Sequence, residues 1–304
     1  MRRERDQELW QKIRFGVEIE FVGGVLEEIE LLPGWMLSLE ERQIDDTGEE
    51  SGSELKPPPI VWDDREQIRV MLARLRAAGA RANWNCGLHV HVSLERWGEE
   101  AIPRFIEAAM QSQEALQGLL ETGEDRRIFC PPVTPEIRER YLAAPGAASL
   151  LHRGRPQSHR CGINLAAWYD IGTAEIRYAN GSLDEDEALR AVELCLRFVA
   201  AVGEGRSLPR EPLELAAELG APLGGYPKPI AAPRWYRERM WLENALVPIL
   251  TPEARRLVPG GEILHLLPDP NGILAVIEDE DGRPSKHLFR LPAAGWELAR
   301  SLPN

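Results

Sequence analysis

Among the 304 residues no apolar run approaches the roughly 20 that a membrane-spanning helix requires, and no C-x-x-C pair occurs. The first absence excludes a helical membrane span, and the second argues against a zinc knuckle or a thioredoxin-like motif. The four cysteines, Cys86, Cys130, Cys161 and Cys195, are widely spread. With no signal peptide, the expected setting is a reducing cytoplasm. Positive charge is scarce: 36 Lys and Arg face 49 Asp and Glu, a net charge of −13, which argues against a general nucleic-acid binder. No serine or cysteine comes with a base and an orienting group, so nucleophilic catalysis is not expected. Internal repeats and low-complexity tracts are absent as well. What is present is ordinary for a globular chain: 43% hydrophobic and 28% charged residues, with length enough for one large domain and a small appendage.

Against that background one stretch stands out. Phe15-Gly16-Val17-Glu18-Ile19-Glu20-Phe21 alternates with period 2, placing Phe15, Val17, Ile19 and Phe21 on one face and Glu18 and Glu20 on the other. Two carboxylates on one strand face repel, and either open water or a cation relieves that cost. Asn85–Ser93 alternates too, with His89 and His91 opposite Leu88, Val90 and Val92. Thr173–Tyr178 pairs Glu175 with Arg177, and Ser53-Glu54-Leu55-Lys56 pairs Glu54 with Lys56 before Pro57-Pro58-Pro59, which end that strand. In one sheet, these polar faces converge over an apolar layer.

The rest of the chain supplies the supports. Asp63–Ala80 predicts a helix with Ile68, Met71, Leu72 and Leu75 as its stripe; residues 98–121 and Asp184–Val202 predict two more. Short strands are expected near Trp35–Leu39 and over Cys161–Ala167, and a polar lead-in over residues 1–14. Residues 122–158 form a long excursion with a short helix near Glu136–Ala143. It carries Arg126, Arg127, Arg138, Arg140, His152, Arg153 and Arg155, positive charge that could draw in a carboxylate or cover phosphates. A connector over 205–234 leads to a helix over Arg234–Leu246. From Glu262 the pattern changes to strands at Ile263–Leu267, Ile273–Ile277 and Lys286–Leu291 and a helix at Ala293–Leu302. The expected division is therefore 1–261, a catalytic domain, and 262–304, a small β-rich module or added layer.

Taken in order, Gly16-Val17-Glu18-Ile19-Glu20-Phe21, Glu54-Leu55 before prolines, Cys86-Gly87-Leu88-His89-Val90-His91-Val92, Arg160…Asn164, Thr173-Ala174-Glu175-Ile176-Arg177 and Asn180-Gly181-Ser182-Leu183-Asp184 resemble the amidoligase family. That family is a branch of the glutamine synthetase-like carboxylate–amine ligases and is related to glutamate–cysteine ligase. The resemblance covers about residues 13–205. It implies an α+β fold, a curved antiparallel sheet of glutamine synthetase-like type backed by helices. It further implies an ATP-dependent ligase that joins a carboxylate to an amine through an acyl phosphate, with Mg2+ or alternatively Mn2+. Its partners would be small-molecule or peptide carboxylate and amine substrates, with neither nucleic acid nor membrane.

Residue by residue, the resemblance makes Glu18, Glu20, Glu54, His89 and Glu175 metal ligands. His89 would also touch the transferring phosphate, and Arg177 would hold the γ-phosphate or acyl phosphate. Asp46, or Asp45 beside it, sits where relatives carry an acidic residue, and Arg160 and Asn164 would contact nucleotide or substrate. Lys56 departs from the family, which has a small or apolar residue there; it could pair with a carboxylate, bind phosphate or face solvent. Two other readings stay open: a metal-dependent hydrolase in which His89, His91 and the glutamates activate water, and a silent relative that serves as a binding subunit.

Overall fold

A computed structural model describes residues 9–38, 42–155, 158–290 and 297–302. The chain divides into two compact units, one of residues 1–151 and 160–232, the other of residues 152–159 and 233–304. Among the described residues no helix is long and apolar enough to cross a membrane.

In the first unit the strands are β1 (Phe15–Gly23), β2 (Met36–Ser38), β3 (Gln43–Ile44), β4 (Glu50–Ser51), β5 (Ser53–Lys56), β6 (Ala80–Arg81), β7 (Gly87–Ser93), β8 (Ile163–Asn164) and β9 (Thr173–Asn180). Helices α1 (Glu66–Ala77), α2 (Ile102–Leu119), α3 (Pro135–Ala143), α4 (Ala167–Ile171), α5 (Glu185–Gly203) and α6 (Pro212–Leu219) accompany them. The main sheet runs β2-β5-β1-β7-β9-β8 with every pair antiparallel, β6 pairs with the far end of β1, and β3 and β4 form a separate hairpin. The fold is thus α+β with antiparallel sheets.

Alternation decides which face is which. Phe15, Val17, Ile19, Phe21, Leu55, Leu88, Val90, Val92, Ala174 and Ile176 are all buried in one core, together with Ile68, Met71, Leu72 and Leu75 of α1 and the inner face of α5. Asp184 caps α5, its Oδ1 accepting the backbone N–H groups of Asp186 and Glu187 at 3.0 Å each, as the acidic first turn predicts. The triple proline ends β5 as expected, and the chain returns beside β1 through a reciprocal backbone pair between Phe15 and Ile60. Between β7 and β9 the register jumps from Leu88↔Ala179 to Val90↔Ile176, so Arg177 and Tyr178 together oppose His89. This bulge lets Tyr178 stay in the core while Arg177 keeps to the polar face.

Several expectations need correction. The strand expected over Cys161–Ala167 is only Ile163–Asn164, because the Asn164 side chain accepts the N–H of Ala166 at 3.1 Å and turns the chain into α4. The lead-in is not simply polar: Trp10 and Ile13 are buried, and Trp10 stacks edge-on against Trp62 and under Arg197.

The second unit holds α7 (Arg234–Leu257) and the antiparallel sheet β10 (Glu262–Asp269), β11 (Gly272–Glu278), β12 (Pro284–Arg290) and β13 (Glu297–Leu302). Helix α7 runs well past Leu246, through Pro248 and Pro252. Its Leu250 and Ala254 pack with Ile263, Leu266, Ala275, Ile277 and Phe289, and that burial outweighs the two ladder bonds the prolines remove. The same packing places this helix with the sheet, so the division falls at 232/233 rather than at the 261/262 boundary drawn from the sequence. The helix expected over Ala293–Leu302 is not formed in its described part. Residues 297–302 are strand β13, paired antiparallel with β12 through Lys286↔Leu302, Leu288↔Arg300 and Phe289↔Leu298; residues 293–296 lie outside the described residues.

Segment 152–159 belongs to this unit through Arg155, whose Nη1 lies 3.3 Å from the fully buried Glu243. Arg239 at 3.5 Å and the Leu266 N–H at 3.1 Å complete the environment of that carboxylate. Arg155 is therefore engaged inside the unit, and the substrate-attracting role considered for it does not fit this position. Arg155→Ala should cost about 2–3 kcal/mol, because it strips a buried carboxylate of one of two cations. Denaturant unfolding followed by tryptophan fluorescence checks this; an unchanged midpoint would show that Arg239 alone suffices.

Candidate active site

Register builds the site. Glu20 lies opposite Glu54, Glu18 opposite His89, and His91 opposite Glu175, so one polar row crosses β5, β1, β7 and β9. Glu54, His89 and Glu175 are at most 1% exposed, and Glu20, Asn164 and Arg177 are also buried. His89 Nδ1 lies 3.1 Å from Glu18 Oε2, and His91 Nε2 lies 3.3 Å from Glu18 Oε1. Arg177 Nη1 donates to Glu175 Oε1, whose other oxygen accepts Asn164 Nδ2 at 2.7 Å. Asn164 therefore orients Glu175. Lys56 resolves into a carboxylate partner, its Nζ 2.8 Å from Glu54 Oε2 and 3.0 Å from Glu18 Oε1.

Charge is unevenly accommodated. Burial opposes ionisation of Glu18, but hydrogen bonds from His89 and His91 outweigh it and hold the carboxyl well below the usual range. Burial likewise opposes Glu175, yet the Arg177 guanidinium keeps it near 2. Glu54 is the exception: burial, then the charge of Glu18, push it up to about 9 despite Lys56. Its Oε2 has the Lys56 ammonium at 2.8 Å, and no hydrogen bond reaches Oε1. Burial, and next the charge of Arg177, pull His89 below its ordinary value. His89 Nδ1 faces Glu18 Oε2 at 3.1 Å and Arg177 Nη1 at 3.3 Å, and its Nε2 has a partner at 2.7 Å.

The partner at Nε2 is a residue whose site role alternation did not reveal. Arg126 comes from the excursion, is 3% exposed, and donates from Nη2 to His89 Nε2 at 2.7 Å and to the Arg177 carbonyl at 3.1 Å. It lies on no periodic segment, so only its place in a charged loop hinted at it. Asn180 fixes that loop: its Oδ1 accepts the Gly123 N–H at 2.9 Å while its Nδ2 donates to the carbonyls of Glu121 and Pro227 at 3.0 and 2.8 Å. Asn180→Ala should cost about 2 kcal/mol by leaving buried backbone groups unpaired, measured as a drop in thermal midpoint of the purified chain; an unchanged midpoint would show that the loop is held elsewhere.

Not every expected residue joins the row. Asp45 accepts the N–H groups of Thr47 and Glu49 in the β3–β4 turn, and Asp46 pairs with Arg81 at 2.9 Å, both half exposed. Neither is among the potential metal-holding groups. Arg160 is exposed. Cys86 and Cys161 are buried thiols, each pushed up to about 12 by burial, as befits packing rather than nucleophilic roles.

Among the described residues, two triads bring ligand atoms within 4.8 Å of one another: Glu18, Glu54 and His89, and Glu18, His91 and Glu175. Two cavities flank the row. One, about 300 Å³, is lined by Gly16, Glu18, Lys56, Pro57, Pro59, His91 and Ile171 among others. The other, about 220 Å³, is lined by Glu20, Arg42, Gln43, Ile44, Asn85, His89, Arg126, Phe129 and Arg177. A family model described as "Putative amidoligase enzyme" matches residues 30–199, more than half of the chain. No curated protein matches it.

Proposed function

The chain belongs to the amidoligase family, and from that premise we propose that it is an ATP-dependent ligase that joins a carboxylate to an amine through an acyl phosphate, with Mg2+ or Mn2+ at the Glu18–Glu54–His89 and Glu18–His91–Glu175 triads. The sheet, polar on one face and backed by helices on the other, is assigned on the same reading to the glutamine synthetase-like class. The observation that carries the proposal is the cluster at Glu54: a fully buried carboxyl with ligand atoms of Glu18 and His89 within 4.8 Å and no hydrogen bond to its Oε1. The donors fit a divalent cation. Carboxylate oxygens suit Mg2+, and the two imidazoles make Mn2+ an equal match. Such an ion, when bound, would offset charge on the nucleotide phosphates.

The chain's own residues supply the rest. Arg177, held by Glu175, offsets charge on the phosphoryl oxygens as the carboxylate attacks and ADP leaves. The amine then attacks the acyl carbon, the C–O bond to phosphate breaks, and the amine loses a proton. Asn164 keeps Glu175 in place. A hydrolase would need no nucleotide; the two buried arginines at His89, Arg126 and Arg177, favour the ligase.

The test is ADP formation, screened against amino acids, polyamines and peptides with Mg2+ or Mn2+, with mass spectrometry of products. Acid- and amine-dependent ADP release with a condensed product is expected. Water-driven cleavage of a substrate without ATP would turn the assignment to the hydrolase. Lys56 gives a second check. Lys56→Met should bind Mn2+ about tenfold more tightly in calorimetry, because it removes an ammonium that competes for Glu18 and Glu54; weaker binding would mean that Lys56 holds the ligands in place instead.

A further inference from the structure

We infer that the cavity beneath Phe129 is a polyphosphate pocket in which Arg126 acts with Arg177 as a two-guanidinium clamp, an assignment that deepens the ligase reading and rests on it for the identity of the natural ligand. Three arginines, Arg42, Arg126 and Arg177, line this cavity against one lining carboxylate, Glu20. Glu175 behind Arg177 offsets one more charge. Within the lining itself cations outnumber carboxylates, in a chain whose net charge is −13. A monocarboxylate needs one guanidinium; this arrangement suits a ligand with several negative oxygens.

Arg126 is the less compensated of the two buried cations. Its carboxylate partner, Glu20 Oε2, lies 3.7 Å away and also accepts the Gly87 N–H. The Nε atoms of both Arg126 and Arg177 have no hydrogen-bond partner. Burying a cation with so loose a counter-ion is costly unless an anion completes it. The strand is shaped for Arg126: a Cβ on Gly87 would overlap its guanidinium, so glycine at that point of β7 leaves the room it occupies. Asn180 and the Thr122 hydroxyl, which donates to the Tyr178 carbonyl at 2.8 Å, anchor the loop that delivers it.

Titration calorimetry with inorganic tripolyphosphate, free of nucleotide and metal, tests this on the full chain, with glutarate as the carboxylate probe. Wild type should bind tripolyphosphate well and glutarate poorly. Arg126→Gln should lose about a hundredfold in tripolyphosphate affinity and Arg126→Lys about tenfold. Gly87→Ala, which displaces the guanidinium without removing it, should also lose about tenfold. Thermal melting establishes that each variant is folded; if Arg126→Gln does not fold, Arg126→Lys and Gly87→Ala decide. Wild-type affinity in those folded variants, tighter binding of glutarate, or no tripolyphosphate binding by wild type overturns the clamp. ADP formation by wild type is read separately, so a ligase that turns over with an Arg126-independent phosphate site refutes the clamp and leaves the ligase standing.

Discussion

Glu18→Gln is expected to lower ligase turnover by on the order of 10³-fold while the chain stays folded. Glu18 is the hub of the row, meeting Lys56, His89 and His91 and belonging to both potential metal-holding triads. Its amide would keep the shape and lose the charge that both triads share. The same substitution should change how stability depends on pH. Glu54 is pushed up to about 9, first by burial and then by the charge of Glu18. From about pH 5 to 9 the folded chain thus holds a proton that the unfolded chain releases. Metal-free stability must fall as pH rises through that window, at up to about 1.4 kcal/mol per pH unit. Glu18→Gln should flatten the slope, and Glu54→Gln should abolish it. Urea midpoints at pH 6 and 8.5 measure it; identical slopes in wild type and Glu54→Gln would show that Glu54 does not hold that proton, and near-wild-type turnover in Glu18→Gln would remove the metal role.

Arg177→Lys should cost about 10² in kcat and, because Arg177 is half of the clamp, should raise KM for the nucleotide as well. The guanidinium is buried, donates to Glu175 and lies with its Nη1 3.3 Å from His89 Nδ1. A lysine ammonium preserves the charge but presents no planar fork, so it cannot hold Glu175 and two phosphoryl oxygens together. Steady-state kinetics decide it. An unchanged kcat would reduce Arg177 to a structural partner of Glu175.

Where the chain alternates strictly, its structure was legible. Glu18, Glu54, His89 and Glu175 share a face because Phe15, Val17, Leu88, Val90 and Ile176 share the other, and one-residue slips would turn the charges into the apolar core. Period 2 cannot say which strand neighbours which. The repulsion expected between Glu18 and Glu20 along one strand is instead concentrated across strands at Glu54, while Glu20 accepts the N–H of Gly87. Arg126 was illegible for a related reason: a loop side chain reaches its site through tertiary anchoring at Asn180, which no local pattern encodes. Similarly, the weak helical preference of residues 297–302 yields to an open sheet edge.

The central claim is that the polar sheet face binds nucleotide together with a divalent cation. Calorimetric titration of ATP into the full chain, with Mn2+ and then with excess chelator, tests it most directly. Binding in the presence of the ion that weakens at least tenfold on its removal, and is lost in Glu18→Gln, is the predicted result; absence of ATP binding under both conditions would contradict it.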